Sequence, residues 1–362
     1  MGLSASGFAS SPSDSIFFDN TAIQSADDAP IGNFVSGRYV NTVNPKASVM
    51  RSQNGSFVMA GRGKDARVFT LSSHTGRGGV HYSEMVNKYK RVLGDAVNVY
   101  CMVIPTQGAF YCPDGAAAWN GSQRDVIDYM YRALSDSVRA VDVFTTLGEH
   151  AAEGLYSRTD HHWNALGAYY AARQFARVAG VPFRDLSHYD TLVVHGFCGT
   201  MPQFSKDPRM KAELKANPED FVYYVPKDSC YRTQAYTYSK NSAGKWTGLS
   251  ELHDVPFFRT YKDGSSQTYC TFIGGDSNMT QVKTDTHNGR RLMIMKDSFG
   301  NAIPGFLFYS FEEIHIVDFR YFHLGIRDYV RDNGITDLLI SDNLGHACSK
   351  ATSAKYETLL AR

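Results

Sequence analysis

The sequence predicts an α/β domain built on a parallel β-sheet and broken by a β-rich insertion. Short apolar runs at 97–104, 291–296, 314–317 and 336–341 alternate with stretches of helical character. The last three runs form two consecutive strand–helix–strand units, which implies parallel strands joined by right-handed crossovers. Between about 195 and 290 that rhythm is lost, and Gly, Ser, Tyr, Thr and Asn dominate.

Taken in order, residues 1–33 are small and polar with few periodic apolar positions, and are expected to be a loosely held extension. Residues 34–80 hold short alternating runs around Asn54-Gly55, a strong turn signal, and are expected to pack as small strands on the core. The first part of the α/β domain spans 81–194. It has a helix at 82–93, a strand at 97–104 ending at Pro105-Thr106-Gln107, a helix at 126–138 and a strand at 141–144. Asn164 is a plausible N-cap for a helix over 165–178, which Gly180 and Pro182 end. The insertion covers 195–290, and the second part of the domain covers 291–362. In that part, 291–296 is a strand, 302–310 a helix with Pro304 in its first turn, 314–317 a strand, 321–333 a helix closed by Gly334, and 336–341 a strand.

Two loops carry the chemistry. Thr159-Asp160-His161-His162-Trp163 precedes a helix, and Lys296-Asp297-Ser298-Phe299-Gly300 follows a strand. A serine hydroxyl becomes a useful nucleophile when an imidazole takes its proton, and the imidazole holds the needed tautomer when a carboxylate binds its other nitrogen. Ser298 lies in a strand-to-helix turn, where Gly300 supplies backbone freedom and free N–H groups can hold an oxyanion. In parallel sheets, ligands bind beyond the carboxyl ends of the strands. Asp297-Ser298, Asp318-Phe319-Arg320 and Asp342-Asn343 occupy three such ends. His161 is expected to pack structurally and Trp163 to anchor its loop in the core.

TDHHW followed by KDSFGNA, VDFR and a late SDN resembles the DHHW proteins of the SGNH hydrolase-like superfamily, which are similar to the alginate O-acetyltransferases. The resemblance covers roughly residue 97 to the C-terminus. It implies a three-layer, flavodoxin-like SGNH fold whose Asp-x-His pair precedes the serine loop, a circularly permuted order. It further implies Ser298 as nucleophile, His162 as base and Asp160 as its orienting carboxylate. Arg320 resembles the arginine near the serine in the acetyltransferases, and Asn343 sits where SGNH enzymes place an oxyanion-hole asparagine, although the surrounding Gly-x-Asn-Asp pattern is absent. The implied activity is acetyl transfer to an extracytoplasmic polysaccharide or oligosaccharide, with a membrane-bound acyl-donor protein as a further candidate partner and acetylesterase as the alternative.

Composition narrows the rest. With 37 Lys and Arg against 36 Asp and Glu, the net charge of +1 gives no electrostatic reason for nucleic acid or an anionic membrane surface. No apolar stretch is long enough to span a bilayer, and residues 1–15 lack the features of a signal peptide. The 22 Tyr and 22 Phe suit sugar stacking as well as a core. Cys101 is expected to be a buried thiol. Among the six cysteines, Cys198, Cys230 and Cys270 are where a bridge would first be sought.

No cofactor or metal is expected. A metal hydrolase using Asp160, His161 and His162 is disfavoured because adjacent histidines in an extended segment point to opposite sides. A non-catalytic carbohydrate-binding protein is disfavoured by the complete Asp160, His162 and Ser298 set.

Overall fold

The computed structural model describes residues 42–362 except 245, 277 and 278. The expected extension at 1–33, and the first part of the short-strand region up to residue 41, lie outside the described residues.

Eight strands form the central sheet: β1 (Asn98–Ile104), β2 (Val138–Ala140), β3 (Tyr231–Tyr236), β4 (His253–Asp254), β5 (Met279–Thr284), β6 (Arg291–Lys296), β7 (Glu313–Asp318) and β8 (Asp337–Asn343). Their spatial order is β4-β3-β5-β7-β6-β8-β1-β2. The strands from β7 to β2 are parallel, while β5 runs antiparallel to β7 and β3 antiparallel to both β5 and β4. The expected parallel sheet is therefore a mixed one. Segments from the tyrosine-rich region extend it at one edge, while Tyr189–Phe197 and Glu219–Pro226 pair apart from it.

The helices that flank the sheet or lead into the site include α1 (Gly76–Leu93), α2 (Gln123–Arg132), α3 (Val143–Glu149), α4 (Ala165–Ala179), α5 (Ile326–Asp332) and α6 (Lys350–Ala361). Side chains alternate across a strand, and the register shows which helices take which face. The Tyr100 ring meets Phe175 of α4 edge-on at 5.1 Å. Asp342, paired with Val103 three residues further along β1, points the other way and accepts hydrogen bonds from Tyr82 of α1 and Tyr356 of α6. The domain thus has three layers.

Several local expectations need correction. Residues 141–144 are not a strand: Asp142 caps α3 by accepting from the N–H groups of Phe144 and Thr145, and the strand lies earlier, at β2. α1 starts at Gly76, ahead of the expected start at 82. Its glycines admit the neighbouring helix, since a Cβ on Gly76 or Gly79 would overlap Tyr129 or Met130 of α2. Residues 302–310 are not an α-helix but parts of two 3-10 turns, Ser298–Ala302 and Pro304–Phe306, and a buried aromatic stretch. Pro304 removes a donor and Gly305 lowers helix propensity. Phe306, Phe308 and Phe311 each fill the core, and of residues 302–310 only Tyr309 is partly exposed, so the segment lacks the solvent face of an amphipathic helix. The helix expected over 321–333 is only α5, which begins beyond Gly325.

The turn at Asn54-Gly55 joins Val49–Arg51 to Phe57–Ala60, with Gly55 at φ 73°. All six cysteines are free thiols, Cys101 buried among them.

Candidate active site

α4 sets the position of the first loop. Asn164 caps it by accepting from Gly167 N–H, and Gly180 ends it in the left-handed conformation at φ 65°. Immediately before the cap, Trp163 is fully buried and donates Nε1–H to Phe299 O at 3.0 Å. That bond ties the histidine loop to the serine loop.

β6 sets the position of the second loop. Lys296 pairs with Asp318 on β7 and Ser341 on β8, so Ser298, Arg320 and Asn343 leave three adjacent strand ends nearly level. The 104–107 end of β1 joins them, and Gln107 donates Nε2–H to Asp160 O at 3.2 Å.

His162 Nε2 lies 2.8 Å from Ser298 Oγ, and His162 Nδ1 lies 2.6 Å from Asp160 Oδ1. The Asp160 carboxylate also accepts from His162 N at Oδ1, and from Thr200 N and Thr200 Oγ1 at Oδ2, the last two at 2.8 Å. Burial alone would raise the Asp160 pKa. The charges and donors of His162, His161 and Thr200 outweigh it and hold the group well below the usual carboxylate range. An ionised carboxylate can only accept. His162 therefore carries a proton on Nδ1, and its neutral form presents a lone pair at Nε2 to the serine hydroxyl.

The same logic settles His161. Thr200 Oγ1 gives its one proton to Asp160, so at 2.7 Å it must accept from His161 Nδ1–H. The His161 Nε2 is then an acceptor. Burial, followed by the His162 charge, brings the His161 pKa down to about 4.

The expectation that the two histidines point apart is wrong. The loop is bent rather than extended, and their rings lie 3.7 Å apart. Among the described residues, the ligand atoms of Asp160, His161 and His162 fall within 4.8 Å of one another, as do those of Asp297, Asp342 and His346. In the first group, a cation would replace the hydrogen that joins His162 to Asp160. In the second, it would compete with the donors on Asp297.

Three other expected residues do different work from that foreseen. Gly300 has no positive φ; instead, a Cβ there would overlap Lys296 Cβ, so glycine lets the turn close over the lysine stem. Its N–H is already bonded to Asp297 O. Asn343 is committed on both sides of its amide: Oδ1 caps the helix Leu344–Ala347, and Nδ2 reaches Asp297 Oδ2 at 2.5 Å and His346 Nδ1 at 3.2 Å. It serves the serine loop through Asp297. Arg320 forks onto Asp318 through Nε at 2.8 Å and Nη2 at 2.6 Å, and Nη2 also reaches Asp276 at 2.9 Å. With Lys296 Nζ 3.2 Å from Asp318, two cations and two carboxylates form a neutral cluster beside the serine turn.

Other contributors lay beyond the reach of sequence reasoning. The Tyr269 ring stacks on His162 at 3.8 Å and 2°, and its hydroxyl meets the carbonyls of Ser298 and Phe299 at 3.0 and 3.2 Å. Gly199 admits Asp160, since a Cβ there would overlap the carboxylate. Asp297 is fully buried, where burial pushes its pKa up. His346 at 2.8 Å and the Asn343 and Phe299 N–H groups hold it below the usual value. Its neighbour Asp342 takes the opposite course, pushed up to about 8 by burial and by the Asp297 charge. Only Asp297 carried a signal, its place directly before the serine; Thr200 and Tyr269 sit in a region without readable spacing.

A three-layer α/β domain in which a serine beyond a strand end meets a histidine and a carboxylate from the loop before α4 defines the class. The chain belongs to the DHHW family, whose model, described as "DHHW protein", matches residues 9–317. Among solved structures, a DHHW family protein from Eubacterium siraeum DSM 15702 is similar at 35% identity and TM-score 0.74, over 88% of this chain and 98% of that one. Bacillus cereus PatB1 with a sulfonyl adduct is similar at 17% identity and TM-score 0.61, over 82% and 95% of the two chains. The O-acetyltransferase domain of Pseudomonas putida AlgJ shows 11% identity and TM-score 0.44, over 88% and 100%, a likeness too loose to argue from. No curated protein matches the chain.

Proposed function

We propose that the chain transfers an acyl group, an acetyl in the simplest case, through Ser298 to a carbohydrate hydroxyl. The observation that carries this reading is the line Asp160–His162–Ser298, at 2.6 and 2.8 Å, with the imidazole tautomer set by an ionised carboxylate. Ser298 Oγ attacks the acyl carbonyl carbon while His162 Nε2 takes its proton. The tetrahedral intermediate then expels the donor oxygen, which receives that proton. In the second half, a sugar hydroxyl gives its proton to Nε2 and attacks the acyl-serine, and Ser298 leaves and regains the proton. Stacking of Tyr269 favours the imidazolium formed midway.

The Ser298 N–H opens its 3-10 turn and makes no hydrogen bond to the described residues, so we assign it as a donor to the oxyanion. Arg320 offers a substrate only Nη1; its other nitrogens fix Asp276 and Asp318. Water in place of the sugar would make the same site an esterase, and the partial exposure of Ser298 admits it. We place the activity outside the cytoplasm on the family likeness. Among the described residues, no helix is long and apolar enough to cross a membrane.

The test is to incubate wild type and Ser298→Ala with an activated acetyl ester, with and without oligosaccharides, and to follow acetate, acetylated sugar and acyl-enzyme by mass spectrometry. The variant should lose on the order of 10³-fold or more. A sulfonyl fluoride should add one sulfonyl group to Ser298 in the wild type. Retained turnover in Ser298→Ala refutes the assignment.

A further inference from the structure

Beside the serine turn, a cavity of about 180 Å³ opens between the histidine loop and the ends of β1 and β8. Its apolar side includes Met201, Phe204 and Phe299, and its polar side His74, Thr106 and His161. Phe299 follows Ser298 directly and the His161 ring lies 3.7 Å from that of His162, so an occupant borders the site although neither Ser298 nor His162 lines the cavity. Phe204 is 48% exposed, a large ring held at the rim and 5.1 Å from the His161 ring.

The polar side is unsatisfied. His161 Nε2 is an acceptor with no partner among the described residues, because its Nδ1–H is taken by Thr200. Thr106 Oγ1 accepts from Gln123 Nε2 at 2.9 Å, and its own proton has no acceptor among the described residues. His74 makes no hydrogen bond to the described residues. An acyl chain would strip water from all three groups and return nothing. An acetyl group would leave most of the space empty.

No Lys, Arg, Asp or Glu lines the cavity. Its two histidines are neutral at physiological pH, because burial lowers the pKa of both, that of His161 to about 4. A carboxylate or phosphate entering here would lose its water without gaining a cation.

We propose that this cavity seats one uncharged pyranose residue of the acceptor, its C–H face on Phe204 and its hydroxyls bonded to His161 Nε2, Thr106 and His74. A sugar ring has the required two-sidedness, an apolar face with hydroxyls at the edge, as small-ligand sites of this composition demand. The acceptor is then a neutral glycan rather than a polyuronate. The sugar's role as acceptor rests on the acyl-transfer reading; its occupation of the cavity does not.

The experiment measures binding to the full chain carrying Ser298→Ala, by calorimetry and saturation-transfer NMR. Neutral gluco-, manno- and xylo-oligosaccharides are compared with an oligouronate of equal length. At least one neutral series should bind saturably, the oligouronate at least tenfold more weakly. Phe204→Ala and His161→Gln should each weaken neutral binding at least fivefold at an unchanged thermal midpoint. Equal or tighter uronate binding overturns the proposal, as does absence of neutral binding at 10 mM.

In the wild type, 4-nitrophenyl hexanoate is compared with 4-nitrophenyl acetate. A hexanoate preference that Phe204→Ala abolishes would hand the cavity to the acyl chain and also overturn the proposal. If the wild type releases no acetate yet binds neutral glycan in the cavity, the acyl-transfer reading falls while the sugar site stands.

Discussion

Asp160→Asn separates orientation from bulk, because the side chain keeps its size while one oxygen becomes an NH₂. Oδ2 of Asp160 receives two donors, Thr200 N and Thr200 Oγ1, each at 2.8 Å. Each oxygen faces one fixed backbone donor, and Thr200 N–H at 2.8 Å is closer to Oδ2 than His162 N–H at 3.1 Å is to Oδ1, so in the variant the amide oxygen is expected to keep the Oδ2 place and the NH₂ to face His162 Nδ1. That nitrogen can then no longer donate and must become the acceptor, which moves the ring proton to Nε2. At 2.8 Å from Ser298 Oγ, a protonated Nε2 cannot take the serine proton. Loss of tautomer and of counter-charge should lower kcat on the order of 10³- to 10⁴-fold. The assay is acetate release from an activated ester, alongside histidine ¹⁵N NMR to read the tautomer and a thermal melt to show that the fold survives. A folded Asp160→Asn within about tenfold of wild type would refute the orienting role.

Other outcomes follow from neighbouring groups. Gly300→Ala should destabilise by roughly 1–3 kcal/mol through overpacking on Lys296, and lower acetate release as the turn shifts; thermal melts and ester kinetics check both. Arg320→Ala leaves Asp276 and Asp318 with Lys296 as their nearby cation and should cost about 1–3 kcal/mol in chemical denaturation, so its loss of activity should be accompanied by a loss of stability. Asp342, with a folded pKa of about 8 set by burial and the Asp297 charge, holds a proton that the unfolded chain releases near the ordinary carboxylate value. Its contribution to stability is full below the unfolded pKa and is lost as pH rises through the folded one. Asp342→Asn should therefore flatten the decline in thermal midpoint between pH 5 and 9, and an unchanged slope would refute the assignment of that proton.

What could be read in the sequence was whatever local chemistry determines. The cap at Asn164, the stop at Gly180, the turn at Gly55 and the strands β1, β6, β7 and β8 all follow from nearby residues, as does the meeting of three strand ends. Contacts made across the fold could not be read. Arg320 was expected to face a substrate, but its carboxylate partner Asp276 lies 44 residues away in a stretch without periodicity. Asn343 looked like a free amide until Asp297, 46 residues earlier, claimed it. The pattern at 141–144 misled because β-branched residues outweighed a cap signal at Asp142. The bend that brings the His161 ring against that of His162 is held by Thr200 and Tyr269, neither of which the loop itself announces.

The strand that leads to Ser298 has both of its sheet partners, β7 and β8, later in the chain, while His162 comes 136 residues before the serine. During synthesis, β6 thus emerges as an apolar strand with no neighbour; it can gain β7 once residues 313–318 are made and β8 only once residues 337–343 are. The proposed Ser298 site is thus among the last features the folding chain completes. On the proposed chemistry, covalent labelling of Ser298 would be a gauge of maturation, reporting how many molecules in a preparation have finished assembling and not merely how many have been made.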